Sequence, residues 1–169
     1  HHQFAIHQCG NSLLAPLRHG VAAFAARLRN GHAHFFFKNH FAIDDGDHHA
    51  TILDGDKLEP IHRFATRYAL HGGPKFTPDG RYVFFASRDG WVSVYDLHNL
   101  SMIAEVRAGL NTRNLAVSND GRWVLVGNYL PGNLVVLDAR DLSLVKTLPT
   151  GSRVSAVYTA PPRDSFVVA

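Results

Sequence analysis

The strongest constraint on what this chain can fold into is a repeat. "TPDGRYVFFASRDGWVSVYDLHNLSMIAEV" (77–106) lines up with "SNDGRWVLVGNYLPGNLVVLDARDLSLVKTL" (118–148). The Asp-Gly-Arg triplets at 79–81 and 120–122 lie 41 residues apart, and Asp54, Asp96 and Asp138, each closing an apolar strand, lie 42 apart. A period of about 40 residues carrying several short strands is that of a β-propeller blade. Helical periodicity is absent from the repeat. The spacing predicts four strands per blade: near 70–77, 81–87, 91–96 and 102–107, then 112–118, 122–128, 133–138 and 144–148.

Local chemistry agrees with this reading. "PDG" and "NDG" pair an Asp, which can bond its own backbone, with a Gly free to take positive φ, as a tight turn requires. "RDG" before "WVSVYD" has the form of an Asp-Gly hairpin. "YVFFAS" and "WVLVGN" are apolar almost throughout, as expected of strands covered on both faces by neighbouring blades. Asp54, Asp96 and Asp138 are expected to be turn or capping residues. "RVSAVYTA" and "SFVVA" start a further blade. Closed propellers have about four to eight blades, whereas two whole blades and parts of two more are present here. The expected fold is therefore all-β, a partial β-propeller belonging to a larger ring.

Composition changes near residue 45. The first 43 residues hold seven of the twelve histidines, and no Asp or Glu precedes Asp44. This stretch shows no sustained period of two, although "VAAFAARLRN" has the form of a short helix. The expected division is thus 1–46, unassigned and irregular, and 47–169, the propeller part. For 1–46 an artefactual origin is expected, either a reading-frame error upstream of "DGDHHATILDGD" or a cloning scar. The alternatives are a metal-binding tail using His32, His34 and His40, or an acid-poor transit segment.

A formal net charge of +3 makes no case for a nucleic-acid partner. The single cysteine, Cys9, excludes an internal disulfide, a cysteine zinc cluster and a c-type haem attachment motif. No apolar run approaches the roughly 20 residues of a membrane helix, and no secretory leader pattern is visible.

In an up-and-down blade, the link between the second and third strands emerges at the same end as the link between blades. His71 and Arg113 occupy matching places in two such blade links, 42 residues apart, and Arg153 lies 40 further on. Arg88 in "SRDGW" and Tyr129 in "NYLPGN" occupy second-to-third-strand links, 41 apart. All five are expected on one face, around one axis. An imidazole, three guanidiniums and a phenol suit a planar, anionic, metal-bearing ligand. A purely structural alternative stands beside this one: His71 as a turn residue, with Arg88 and Arg113 paired to Asp89 or Asp120.

At these residues the sequence resembles the haem d1 domain family, which includes haem-d1-containing nitrite reductase and its relatives in haem d1 biosynthesis. The resemblance rests on "RYALHGGPKFTPDGRYVFFASRDGWVSVYDL", "AEVRAGLNTRNLAVS", "GNYLP" and "SRVSAVYTAPPRDSFVV" and runs from about Asp47 to Ala169. It implies roughly the first half of an eight-bladed propeller with haem d1 in its central well. By motif it implies His71 as the proximal iron ligand and Arg88 and Arg113 near the macrocycle's carboxylates. Tyr129 would lie beside the ring, and Arg153 would be a further basic contact. "GGPKF" after His71 resembles the dihydro-haem d1 dehydrogenase type more than the reductase. The resemblance further implies an oxidoreductase parent acting in haem d1 maturation or in nitrite reduction to nitric oxide, with this part inactive alone. A periplasmic location is implied too, with haem d1 maturation proteins or a c-type cytochrome donor as partners. It leaves the distal catalytic residues unassigned. The competing reading is a non-enzymatic propeller that serves as a protein-interaction platform.

Overall fold

The computed structural model describes residues 5–8, 40–44, 48–54, 56–57, 59–67 and 70–169, the first two segments as backbone. "VAAFAARLRN", His32 and His34 lie outside the described residues, and His40 enters only as a backbone position. The strands are β1 (Ala5–Gln8), β2 (His40–Asp44), β3 (His49–Asp54), β4 (Pro60–Ala65), β5 (Lys75–Phe76), β6 (Tyr82–Ala86) and β7 (Trp91–Asp96). They continue as β8 (Ser101–Arg107), β9 (Asn111–Val117), β10 (Trp123–Leu130), β11 (Asn133–Asp138), β12 (Leu144–Pro149), β13 (Val157–Thr159) and β14 (Ser165–Val168).

Four sheets result: β2-β3-β4, β5-β6-β7-β8, β9-β10-β11-β12, and β13-β14 with β1 added parallel to β14. Apart from that parallel pair, every strand pairing is antiparallel. The two central sheets are the two whole blades of the repeat and the outer two are partial, so the chain is a partial β-propeller. Two strands, β1 and β2, fall in the stretch that sequence left as irregular. They are four and five residues long, too short to impose a visible period.

Successive side chains of a strand point to opposite faces, and here each face belongs to a different interface. Val83 and Phe85 pack with Ile52 and Tyr95 toward the preceding sheet, while Phe84 joins Leu115 and Val124 toward the following one. Leu125 and Val136 turn the other way, onto Val157 and Phe166. This double coverage is why β6 and β10 read as unbroken apolar runs. Each such side chain contributes about 1.5–3 kcal/mol of burial, and the blades hold one another together.

The turns follow the expected chemistry. Gly80 and Gly121 take φ of 72° and 73°. Asp79 accepts from the Thr77 hydroxyl and the Arg81 amide, as Asp120 accepts from Ser118 and the Arg122 amide. Asp54 accepts the amides of Asp56 and Lys57. Asp96 accepts the His98 amide, and Asp138 that of Arg140. All three aspartates are turn caps.

One strand departs from expectation. The innermost strand of the first whole blade, expected over 70–77, is reduced to Lys75–Phe76 and an isolated Leu70–Ser87 bridge. Between them Gly72 and Gly73 adopt φ of 83° and 69°, and Pro74 has no amide to donate. The ladder is broken directly after His71.

Candidate functional site on the blade-link face

The two kinds of link meet at one end, as strand alternation requires. Gly90, in the second-to-third-strand link of the first whole blade, accepts from the amides of Ala108 and Gly109 in the following blade link. In the next blade, Gly132 accepts from Thr150, and Asn128 from Val154. The approach is close enough to require glycine: a Cβ on Gly90 would lie 2.0 Å from the Gly109 carbonyl oxygen.

Sheet register places His71 and Arg113 at matching positions. Leu70 pairs with Ser87, directly after β6, and Thr112 pairs with Asn128 near the end of β10, a strand that runs on to Leu130 and so takes in Tyr129, which was expected in the link. His71 and Arg113 each follow these pairs. Their side chains then part ways. The His71 imidazole points across to the neighbouring blade, with Nδ1 2.6 Å from the Arg113 carbonyl oxygen. A carbonyl only accepts, so Nδ1 carries the proton and the neutral ring keeps its lone pair on Nε2. A backbone carbonyl on one ring nitrogen is the usual way a histidine is oriented for metal binding through the other.

Arg113, Tyr129 and Arg153 form one cluster. The guanidinium carbons of Arg113 and Arg153 lie 4.5 and 4.6 Å from the centroid of the Tyr129 ring, and Arg153 donates to the Tyr129 hydroxyl at 2.6 Å. Two cations on one ring attract the ring and repel each other. Among the described residues, neither is ion-paired to a carboxylate. Asp89 and Asp120, the partners a purely structural reading would supply, are occupied by Ser87 and Ser118 instead. Arg88 sits exposed in its link and joins none of the contacts that tie the other four together.

Sequence reasoning missed the polar scaffold beneath the cluster. Asn128, fully buried, accepts from Thr112 at 2.6 Å and donates to the Ala108 carbonyl and to Asn133, both at 2.8 Å. It thereby fixes the backbone directly before Tyr129. A polar residue ending the apolar run "WVLVGN" was the available signal. Lys75 was missed as well: its ammonium turns back to the carbonyl oxygens of Gly72 and Gly73, at 2.6 and 3.2 Å.

Successive antiparallel sheets packed face to face, with His71, Arg113, Tyr129 and Arg153 meeting at one end, define a partial β-propeller. The cytochrome D1 heme domain model matches residues 37–169, and the chain belongs to that family. It is 76% identical over 133 residues to the dihydro-heme d1 dehydrogenase of Pseudomonas aeruginosa, and 34% identical over 128 residues to protein NirF of the same organism. These matches cover 75% and 70% of the chain, but only 27% and 33% of the relatives, so the chain spans about a third or less of their length. A solved structure of dihydro-heme d1 dehydrogenase NirN in complex with DHE is 75% identical, with a TM-score of 0.72 over 76% of the chain and 29% of that protein. The β-propeller domain of Cps50 (Swd1) from Myceliophteria thermophila, 16% identical, matches with a TM-score of 0.65 over 77% of the chain and 44% of that domain, and supports the fold alone.

The donor set fits a haem of the d1 type. Iron calls for a nitrogen lone pair, which His71 Nε2 retains. An anionic macrocycle calls for cations without carboxylate partners, which Arg113 and Arg153 are among the described residues.

Proposed function

We propose that this chain is a haem d1-binding part of a denitrification protein of the dihydro-haem d1 dehydrogenase type, with His71 as the axial iron ligand. The observation that carries this reading is the His71 Nδ1 to Arg113 carbonyl contact of 2.6 Å, which selects the tautomer that presents Nε2. When bound, the cofactor supplies the redox chemistry. The chain's own residues bind and orient. Arg113 and Arg153 meet carboxylates through charge-assisted bonds, Tyr129 holds both guanidiniums against its ring, and Arg88 reaches the ligand from its exposed link.

The dehydrogenase type is favoured over nitrite reductase because the identity to the dehydrogenase is 76%, against 29% to the Stutzerimonas stutzeri nitrite reductase. All five assigned residues lie within 47–169. A periplasmic location, haem d1 maturation proteins as partners and a c-type cytochrome as electron donor belong to the same proposal. Among the described residues, no helix is long and apolar enough to cross a membrane.

The test is a titration of the chain with haem d1 and, separately, with its dihydro precursor, followed in the visible spectrum. A saturable change at one ligand per chain is expected for both. If neither ligand gives a saturable change, or if Arg113→Ala combined with Arg153→Ala leaves the titration unaltered, the reading fails.

A further inference from the structure

The ladder break that frees His71 creates a positioning problem. Leu70 is bridged to Ser87 and the His71 amide donates to the Ala86 carbonyl at 2.8 Å, but the next ladder pair is Lys75–Phe84. In between, Gly72 and Gly73 stand at positive φ, a segment with the widest conformational freedom a chain can have. Gly72 also has no room to change: a Cβ there would lie 2.6 Å from Asn114 Oδ1 and 2.9 Å from the Arg113 carbonyl oxygen. That is the same carbonyl that orients the imidazole.

We infer that Lys75 is a positioning residue for His71: its ammonium clamps the Gly72 and Gly73 carbonyls and so fixes the turn that aims the imidazole at the Arg113 carbonyl. Nζ lies 2.6 Å from Gly72 O and 3.2 Å from Gly73 O. Both distances suit charge-assisted hydrogen bonds, which are stronger than neutral ones. The clamp joins the end of the break to its middle, closing over the two glycines. No carboxylate is paired with Lys75 among the described residues, so the carbonyls are its counter-groups. Burial works against the ammonium and lowers its pKa from the lysine value. The axial ligand is thus held from two sides, by the next blade through Nδ1 and by its own strand through Lys75.

This inference rests on the haem reading for its functional meaning, but its test does not depend on haem. The 169-residue chain is compared with Lys75→Met and Lys75→Arg by hydrogen-exchange mass spectrometry of the peptide spanning 70–76, and by the ¹⁵N resonances of the His71 ring. Lys75→Met is expected to speed exchange in that peptide by about tenfold or more, the factor for a lost charged hydrogen bond, and to mix the ring tautomers. Exchange in the β9–β12 blade should stay as in wild type, and Lys75→Arg should restore the single Nδ1-protonated tautomer. Unchanged exchange and an unchanged tautomer in Lys75→Met would overturn the inference. Haem d1 added afterwards separates the two ideas. A wild-type chain that takes no haem refutes the haem reading and leaves the exchange result to decide Lys75.

Discussion

The His71 ring and the Arg113 backbone are joined across a blade boundary, Nδ1 to carbonyl oxygen at 2.6 Å, although 42 residues separate them. The imidazole proposed as the iron ligand in one blade is therefore oriented by the main chain of the matching residue in the next. Propeller repetition places the two at equivalent positions and gives them different tasks. Arg113 contributes its carbonyl to His71 and its guanidinium to Tyr129.

Because Arg113 and Arg153 share the Tyr129 ring, their contributions to ligand binding will not add. Arg113→Ala and Arg153→Ala are each expected to weaken haem d1 binding by about tenfold or more, the scale of a charged hydrogen bond. The double variant should depart from the sum of the singles by at least about 0.5 kcal/mol, as for residues in direct contact. A full double-mutant cycle of haem titrations measures the coupling. Strict additivity would mean that the shared ring does nothing.

Gly90→Ala should be among the most damaging single substitutions. Gly90 has φ of 91°, and an added Cβ would lie 2.0 Å from the Gly109 carbonyl oxygen. Strain and overpacking together predict a loss of about 3 kcal/mol, read from urea unfolding. Gly80→Ala, with open space around the Cβ but φ of 72°, isolates the backbone term and should cost about 1–2 kcal/mol.

The blades were legible in sequence because their strands are covered on both faces, so burial wrote an apolar run between Asp-Gly turns. Val83 and Phe84 serve two different interfaces, and neither position tolerates a charge. The break after His71 was less legible. "HGGPK" signals a turn, but nothing in it says that Lys75 folds back on the two glycine carbonyls. Arg88 shows a similar limit. Topology places it at the correct end, yet a tight link closed by Ser87 and Asp89 leaves its side chain outside the Arg113–Tyr129–Arg153 cluster.

Acid should unfold the chain through its turn caps. Burial alone would raise the Asp96 carboxyl, but the Arg81 guanidinium at 2.9 Å and the His98 amide outweigh it and hold the pKa below the usual value. The Arg140 guanidinium lowers Asp138 most directly. A carboxyl depressed in the folded state contributes stability fully above its unfolded value of about 3.9 and loses it as pH falls through the lower folded value. Melting temperature should therefore be flat above about pH 5 and fall steeply below about pH 4. Asp96→Asn should be less stable at neutral pH by about 2 kcal/mol and show a shallower acid limb. Equal acid limbs in the two proteins would rule Asp96 out as a source of the pH dependence.

The central claim, that His71 Nε2 is the axial nitrogen, is tested most directly by the visible and electron paramagnetic resonance spectra of haem d1 bound to wild type and to His71→Ala. The expected result is a nitrogen-ligated spectrum in wild type, its loss in His71→Ala, and its return when free imidazole is added to the variant. If His71→Ala without imidazole gives the wild-type spectrum at the wild-type affinity, the axial ligand is another group and the account is contradicted.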